Sequence, residues 1–282
     1  MALRIHHLNC GSMCPYGARL IAGTGGWLAP ATLVCHCLLI ETGRELILVD
    51  TGFGTRDIDH PQSLGRAFRR ISRPRLDRRE TALAQVEALG FTRNDVRHLI
   101  VTHLDLDHAG GLADFPQASV HLFAPELDAA LAPKGFERAR YRPAQWAHGP
   151  RWVAHETMGE TWFGFDSVRA VPGSNAEVLL IPLVGHSRGH TGVAVREGRK
   201  WLLHCGDAYM HRAEIDALQP HCPPALDLLE RLDQTDGKAR RHNVERLRRL
   251  AEEQVGRVRL FSSHDPTELE RCQKRKRRIQ GN

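Results

Sequence analysis

No run of about 18 apolar residues occurs anywhere in the 282-residue chain, which excludes a membrane-spanning helix. Its first ten residues carry Arg4, His6 and His7 where a secretory leader would place its apolar segment, so the expected compartment is the cytoplasm, with no membrane partner. There is no CxxC pair, and the seven cysteines (10, 14, 35, 37, 205, 222 and 272) are an odd number. Both facts argue against a disulfide framework and against a thiolate zinc cluster, so reduced thiols are expected. Aromatic residues are few, at 6%, and no short-period repeat is visible.

Charge of one sign is absent from most of the chain. The formal net charge is +6, and residues 271–282 hold six bases and no acid, which leaves 33 bases against 33 acids elsewhere. A second basic block, residues 66–79, has seven arginines and one aspartate. Neither block has a recognisable binding module, so both read as solvated faces and nucleic acid is not an expected partner. With 41% apolar and 26% charged residues the chain is globular, and its length suits a single domain spanning 1–282.

β-rich runs at 32–41 and 45–49 are joined across Thr42-Gly43-Arg44 as a hairpin, and the second run stops at the turn Asp50-Thr51-Gly52. Residues 81–89 have helical spacing, with Gly90 to stop them. Further strands are expected at 98–102, 119–123, 177–184, 192–196, 200–204 and 258–262, with a short helix at 125–131. An amphipathic helix is expected at 243–254, capped by Asn243. Between the two batches of elements lies the stretch 134–165, which holds seven of the 17 aromatic residues and reads as an insertion that packs over something. The class is therefore α/β or α+β with two similar halves.

Histidine is the over-represented residue, with 17 in the chain, and it is the commonest metal ligand. His103, Asp105, Asp107 and His108 fall within six positions directly after the apolar run 98–102. Alternation puts His103, Asp105 and Asp107 on one side and His108 on the other, so one segment could serve two adjacent ions. His186, Asp207 and His264 each follow a later apolar run by one to three residues, the place where sheet proteins gather their sites.

With these motifs in place, the chain resembles the metallo-β-lactamase superfamily, whose pattern is HxHxDH followed by isolated His, Asp and His ligands. The LVDTG turn at 48–52, THLDLDHAGG at 102–111, GHSRGHT at 185–191, GDAY at 206–209 and SHD at 263–265 come in the right order. They are most similar to the N-acyl homoserine lactone lactonase branch, with hydroxyacylglutathione hydrolases as a related group. The resemblance implies an αββα sandwich. It also implies one ion on His103, Asp105 and His186, a second on Asp107, His108 and His264, and Asp207 bridging them. His190 and Asp50 would support the site without binding metal.

Two positions depart from the pattern. Asp105 stands where the family has its second His, which moves the expectation of two zinc ions towards iron or manganese at the first position. Tyr209 follows Asp207 by two residues where the lactonases place a tyrosine at three, here Met210; Tyr209 is nevertheless a candidate oxyanion donor, and Asp207 a candidate proton acceptor. Three carboxylates, two divalent ions and one hydroxide sum to zero charge, against +1 for the usual two-carboxylate site, so bound water is acidified less.

The activity implied is hydrolysis of a small ester or lactone by a hydroxide bridging two metals, with the aromatic segment forming an apolar pocket. The alternatives are a phosphodiesterase or nuclease of the same fold, and a non-hydrolytic metal-binding or redox protein. The sequence leaves the assembly open between a single chain and a homodimer.

Overall fold

Every residue of β2 (Leu33–Glu41) but the last is buried, and a strand buried on both faces belongs to a sheet covered on both sides. The protein is described by a computed structural model covering residues 3–156, 160–171 and 177–280. The other strands are β1 (Arg4–Met13), β3 (Leu46–Val49), β4 (Val96–Ile100), β5 (Ser119–Phe123), β6 (Arg151–His155), β7 (Glu160–Trp162), β8 (Phe165–Arg169), β9 (Val178–Pro182), β10 (Thr191–Glu197), β11 (Lys200–His204) and β12 (Val258–Phe261). The helices are α1 (Ala18–Ile21), α2 (Thr55–Asp59), α3 (Arg66–Ser72), α4 (Ala82–Ala88), α5 (Ala124–Leu131), α6 (Glu137–Arg140), α7 (Pro224–Asp233), α8 (Gly237–Glu253) and α9 (Pro266–Gln280).

Two six-stranded sheets form, in the orders β1-β2-β3-β4-β5-β6 and β12-β11-β10-β9-β8-β7. Leu38, Ile40, Ile47, Val49 and Ile100 of the first sheet meet Leu180, Val193, Val195, Leu202 and Phe261 of the second in the central core. The alternate residues face outward: Leu39, Leu48 and Leu99 pack on Leu83 and Val86 of α4, while Leu179, Ile181 and Leu203 pack on Val244, Leu247 and Leu250 of α8. The result is the αββα sandwich expected from the sequence. Among the described residues no helix is long and apolar enough to cross a membrane.

Local chemistry sets most boundaries. Thr81 caps α4 by accepting a hydrogen bond from the Ala84 N–H, and Gly90 follows at φ 87°. α8 begins six residues earlier than its apolar spacing suggests, because Asp236 accepts from the N–H groups of Lys238 and Ala239. Asn243 is therefore not a cap; it is buried in mid-helix, where its amide donates to the Val184 carbonyl.

Two expectations about segments are corrected. The stretch 134–165 is not an insertion lying over the fold: it supplies α6, the edge strand β6 of one sheet and the edge strand β7 of the other. Its aromatics divide accordingly, Tyr141 and Trp146 entering the core beneath the first sheet and Trp162 and Phe165 the core beneath the second. The second concerns the bases of 271–282, read from the sequence as a basic tail beyond the last helix. They lie in α9, which is capped by Asp265 accepting from Thr267 and Glu268 and which buries Leu269 and Cys272. A chain ending at Glu270 loses part of that packing, and its melting temperature is expected to drop by several degrees relative to the full chain.

On the inner face, His98, His121 and His155 on neighbouring strands form a continuous row: His98 Nδ1 lies 2.9 Å from His121 Nε2, and His121 Nδ1 lies 3.0 Å from His155 Nε2. Burial holds all three below the usual histidine range, and His121, with a histidine on each side, is pushed down to about 3. The unfolded chain takes up protons near pH 6.5 that the native row refuses, so stability is full above that pH and falls as pH drops towards 3. Urea unfolding at pH 7.5 and 5.5 checks this: the loss of midpoint on acidification should be smaller in His121→Gln than in the parent, and equal losses would remove the row as its source.

Candidate metal centre

The loops that leave β4, β9, β11 and β12 meet at one end of the sandwich, because those strands all deliver their C-terminal ends there. Each loop brings its ligand-type residues: His103, Asp105, Asp107 and His108 after β4, His186 after β9, Asp207 after β11 and His264 after β12. All seven are buried. The structure therefore brings together every metal-ligand candidate of the sequence.

They fall into two groups around Asp207. On one side, Asp105 Oδ2 lies 3.4 Å from His103 Nε2 and 3.0 Å from His186 Nε2, and Asp207 Oδ2 lies 3.9 and 3.8 Å from the same two nitrogens. On the other, Asp207 Oδ1 is 3.3 Å from His108 Nε2, Asp207 Oδ2 is 3.0 Å from His264 Nε2, and Asp107 Oδ2 is 3.7 Å from His264 Nε2. Ligands about 2.1 Å from a tetrahedral ion lie about 3.4 Å apart, which falls inside the observed spread of 3.0–3.9 Å. His103 Nε2, His108 Nε2, Asp105 Oδ1 and Asp207 Oδ1 are buried with no hydrogen-bond partner. Such atoms are rare unless something else satisfies them, and an N/O donor set without sulfur suits zinc, iron or manganese.

The imidazoles are aimed from behind. His108 Nδ1 lies 2.9 Å from Asp50 Oδ2, His264 Nδ1 donates to the Val34 carbonyl at 2.8 Å, and His103 Nδ1 lies 2.9 Å from the Thr102 hydroxyl. Each of these contacts leaves Nε2 facing the cluster. His190 spends both nitrogens on the frame, one against the Leu183 carbonyl and one accepting from the Asp207 N–H, so it positions Asp207 and is not a ligand. Gly206 makes that approach feasible: its φ is 56°, and a Cβ there would lie 2.4 Å from His190 Nε2.

Electrostatics follow from the crowding. Burial works against the Asp207 carboxylate, yet His264 and His108 outweigh it and hold the acid well below its usual range. Burial likewise opposes the His264 imidazolium, but Asp207 and Asp107 lift it to about 9. His108 and His264 are thus both shifted towards the protonated form by the carboxylates beside them, and a divalent ion would displace those protons.

The hydroxyl of Tyr209 does not face the cluster. The side chain is fully buried beneath the second sheet and its hydroxyl donates to the Glu268 carboxylate at 3.2 Å, which corrects its reading as an oxyanion donor. Met210, the next residue, lines the cleft beside His264 instead. Two residues carry weight that no local pattern announced. Glu126 of α5 accepts from the Leu104 N–H, the Gly189 N–H, the Ser187 hydroxyl and the Tyr141 hydroxyl, tying the first two ligand loops together. Arg140 of α6 places Nη1 2.7 Å from Asp105 Oδ2 and 3.0 Å from His186 Nε2.

Fold and site together define a metal-binding αββα protein with its centre at one end of the sandwich. The model of the metallo-β-lactamase superfamily matches residues 31–255, and the chain belongs to that superfamily. It is 42% identical, over 94% of its length and 81% of the relative's, to a protein of Mycobacterium tuberculosis named a probable metallo-hydrolase. It is 26% identical, over 94% of both chains, to the N-acyl homoserine lactonase AttM of Azorhizobium caulinodans. A solved variant of the lactonase AiiA from Bacillus thuringiensis, with N-decanoyl-L-homoserine at its active site, has the same fold at a TM-score of 0.71 and 20% identity, covering 96% of this chain and 97% of that one.

His108→Ala and Asp207→Ala are each expected to lose bound metal, and Gly206→Ala to lose it partly through displacement of His190. Elemental analysis of folded, purified protein measures this; undiminished metal in both alanine variants would remove these residues from the centre.

Proposed function

We propose that the protein is a metal-dependent hydrolase that opens a small ester or lactone, using two divalent ions, zinc foremost. His103, Asp105 and His186 would hold one ion and Asp107, His108 and His264 the other, with Asp207 shared. The observation that carries the reading is this sharing: one buried carboxylate turns Oδ1 to one ligand group and Oδ2 to both. Bound ions of this kind bring the pKa of water down towards about 7 and polarise a carbonyl oxygen.

The chain's own part is to place and to accept. Asp207 Oδ1 lies 3.3 Å from His108 Nε2 on the side of the second group, and Asp207 is the residue we assign to accept a proton released by the attacking water. His190 and Asp50 keep Asp207 and His108 from rotating away. A cleft of about 290 Å³ opens against His264, with Ala18, Ile21, Ala31, Leu33, Met210 and Leu226 among its walls. Its apolar sides suit the hydrocarbon portion of an acyl ester or lactone, and they would exclude water from around the carbonyl. We assign the substrate pocket to this cleft, which is lined by α1, the loop after it, residues 210–212 and the starts of α7 and α9. All seven ligand residues belong to one chain, so the site needs no second copy.

The test is a panel of acyl lactones, thioesters, phosphotriesters and β-lactams, run on protein purified without added metal and again after chelation. Turnover should be highest on the acyl lactones or esters, should vanish with the chelator, and should fall by at least about 100-fold in His264→Ala. A preference for phosphotriesters or β-lactams would overturn the substrate class, and chelator-resistant turnover would overturn the mechanism.

A further inference from the structure

The two ligand groups are not equally free to take an ion. At the second position His108 Nε2 has no hydrogen-bond partner and His264 Nε2 faces the Asp207 and Asp107 carboxylates, whereas at the first His186 Nε2 and Asp105 Oδ2 are both in contact with the Arg140 guanidinium. These are two of the three atoms that would define the first position. His186 Nε2, the atom an ion would use, lies 3.0 Å from Arg140 Nη1 and 3.0 Å from Asp105 Oδ2, and the Asp105 oxygen that faces His103 and His186 is the one Nη1 approaches at 2.7 Å. At the second position, among the described residues, no arginine or lysine comes within ion-pair distance of Asp107 or Asp207.

The guanidinium is held from its other end as well. Nη2 donates to the backbone carbonyl of Asp233 and lies 3.0 Å from Asp233 Oδ1, at the close of α7. Arginine stays charged at every accessible pH, and burial of this one is outweighed by the Asp105 and Asp233 carboxylates, which favour the cation further. Asp233 itself is about half exposed, so this second anchor of the guanidinium lies at the surface.

We propose that Arg140 and the first metal ion compete for Asp105 and His186, so that the chain holds one ion firmly and takes the second only as Arg140 withdraws. The proposal rests on the metal-centre reading above and deepens it. The firm ion sits on Asp107, His108, His264 and Asp207. The conditional ion sits on His103, Asp105 and His186, and its occupancy follows the free metal concentration. A monovalent cation carried by the chain itself thus balances Asp105 whenever the first position holds no ion, and the centre is loaded in two unequal steps.

Zinc titration of the metal-stripped parent, followed by elemental analysis after dialysis, tests this without any variant: two distinct affinities are expected, with one ion per chain retained. Two ions of equal affinity would overturn the proposal. Arg140→Met should tighten the weaker step by about tenfold or more and retain two ions, since the competing charge is gone. Manganese loading gives an independent signature, an isolated-ion resonance in the parent and a spin-coupled pair in Arg140→Met. Because that variant leaves Asp105 unpaired, Arg140→Met with Asp105→Asn serves as the charge-balanced control for folding, checked by circular dichroism. A folded Arg140→Met protein that binds fewer ions than the parent would show that the guanidinium supports the first position, and would overturn the proposal. If neither parent nor variant binds zinc, and His264→Ala changes nothing, the metal-centre reading itself fails, an outcome distinct from equal loading of two ions.

Discussion

Three carboxylates, Asp105, Asp107 and Asp207, are buried within one cluster of imidazoles, and the rest of the structure accommodates that fact. An uncompensated charge taken out of water costs several kcal/mol, so each acid must meet a cation or a set of donors. Histidine protons meet part of the requirement, Arg140 meets another part, and the unpartnered nitrogens and oxygens mark where the remainder is to be supplied by bound ions. The same crowding that makes the cluster costly makes it a strong trap for divalent metal.

Holding such a cluster in register calls for stiffness, and the fold provides it through paired strand ends backed by specific hydrogen bonds. Asp50, at φ 54° in the turn after β3, accepts from the Thr102 N–H and hydroxyl and contacts His108, so it ties the two parallel strands β3 and β4 to the first ligand loop. Glu126 does the corresponding work between the loops after β4 and β9. Gly189 packs so near Glu126 that a Cβ there would lie 2.1 Å from its nitrogen, which is why the loop can pass at that height. None of these groups needs to touch substrate to set where Asp207 and His108 point.

The residues that gather at the centre were legible because their information is local. Four of them fall in six positions, and the other three each follow an apolar run, so residue type and strand-end placement suffice to find them. The strands were legible for the same reason, apolar runs bounded by turn residues. What could not be read depends on distance in space. Arg140 is 35 positions from Asp105 in a four-residue helix without an apolar stripe, and only the crossover from β5 to β6 brings it back. The aromatic density of 134–165 likewise said nothing of direction, since its rings other than the exposed Phe136 divide between two cores on opposite outer faces. The beginning of α8 was hidden because residues 237–242 are polar; Asp236 at the N-terminus and Arg240, buried between Glu214 and Glu230, hold that turn in place of an apolar face.

Asp105 and Arg140 are best understood as one feature. A carboxylate in place of a neutral imidazole adds a full negative charge to the first position, and in a buried site that charge would either take up a proton or disturb its neighbours. Arg140 removes the difficulty without restoring an imidazole: the pair is neutral, and the guanidinium fork reaches Asp105 and His186 on one side and Asp233 on the other. Its position is in turn made possible by the segment 134–165 being part of the sandwich, with α6 fixed through Tyr141 on Glu126 and through Glu137, which accepts from Arg188 in the second ligand loop. The departure at 105 is therefore built into the fold rather than confined to one ligand, because a neutral residue at 105 would leave Arg140 buried with Asp233 as its remaining carboxylate partner.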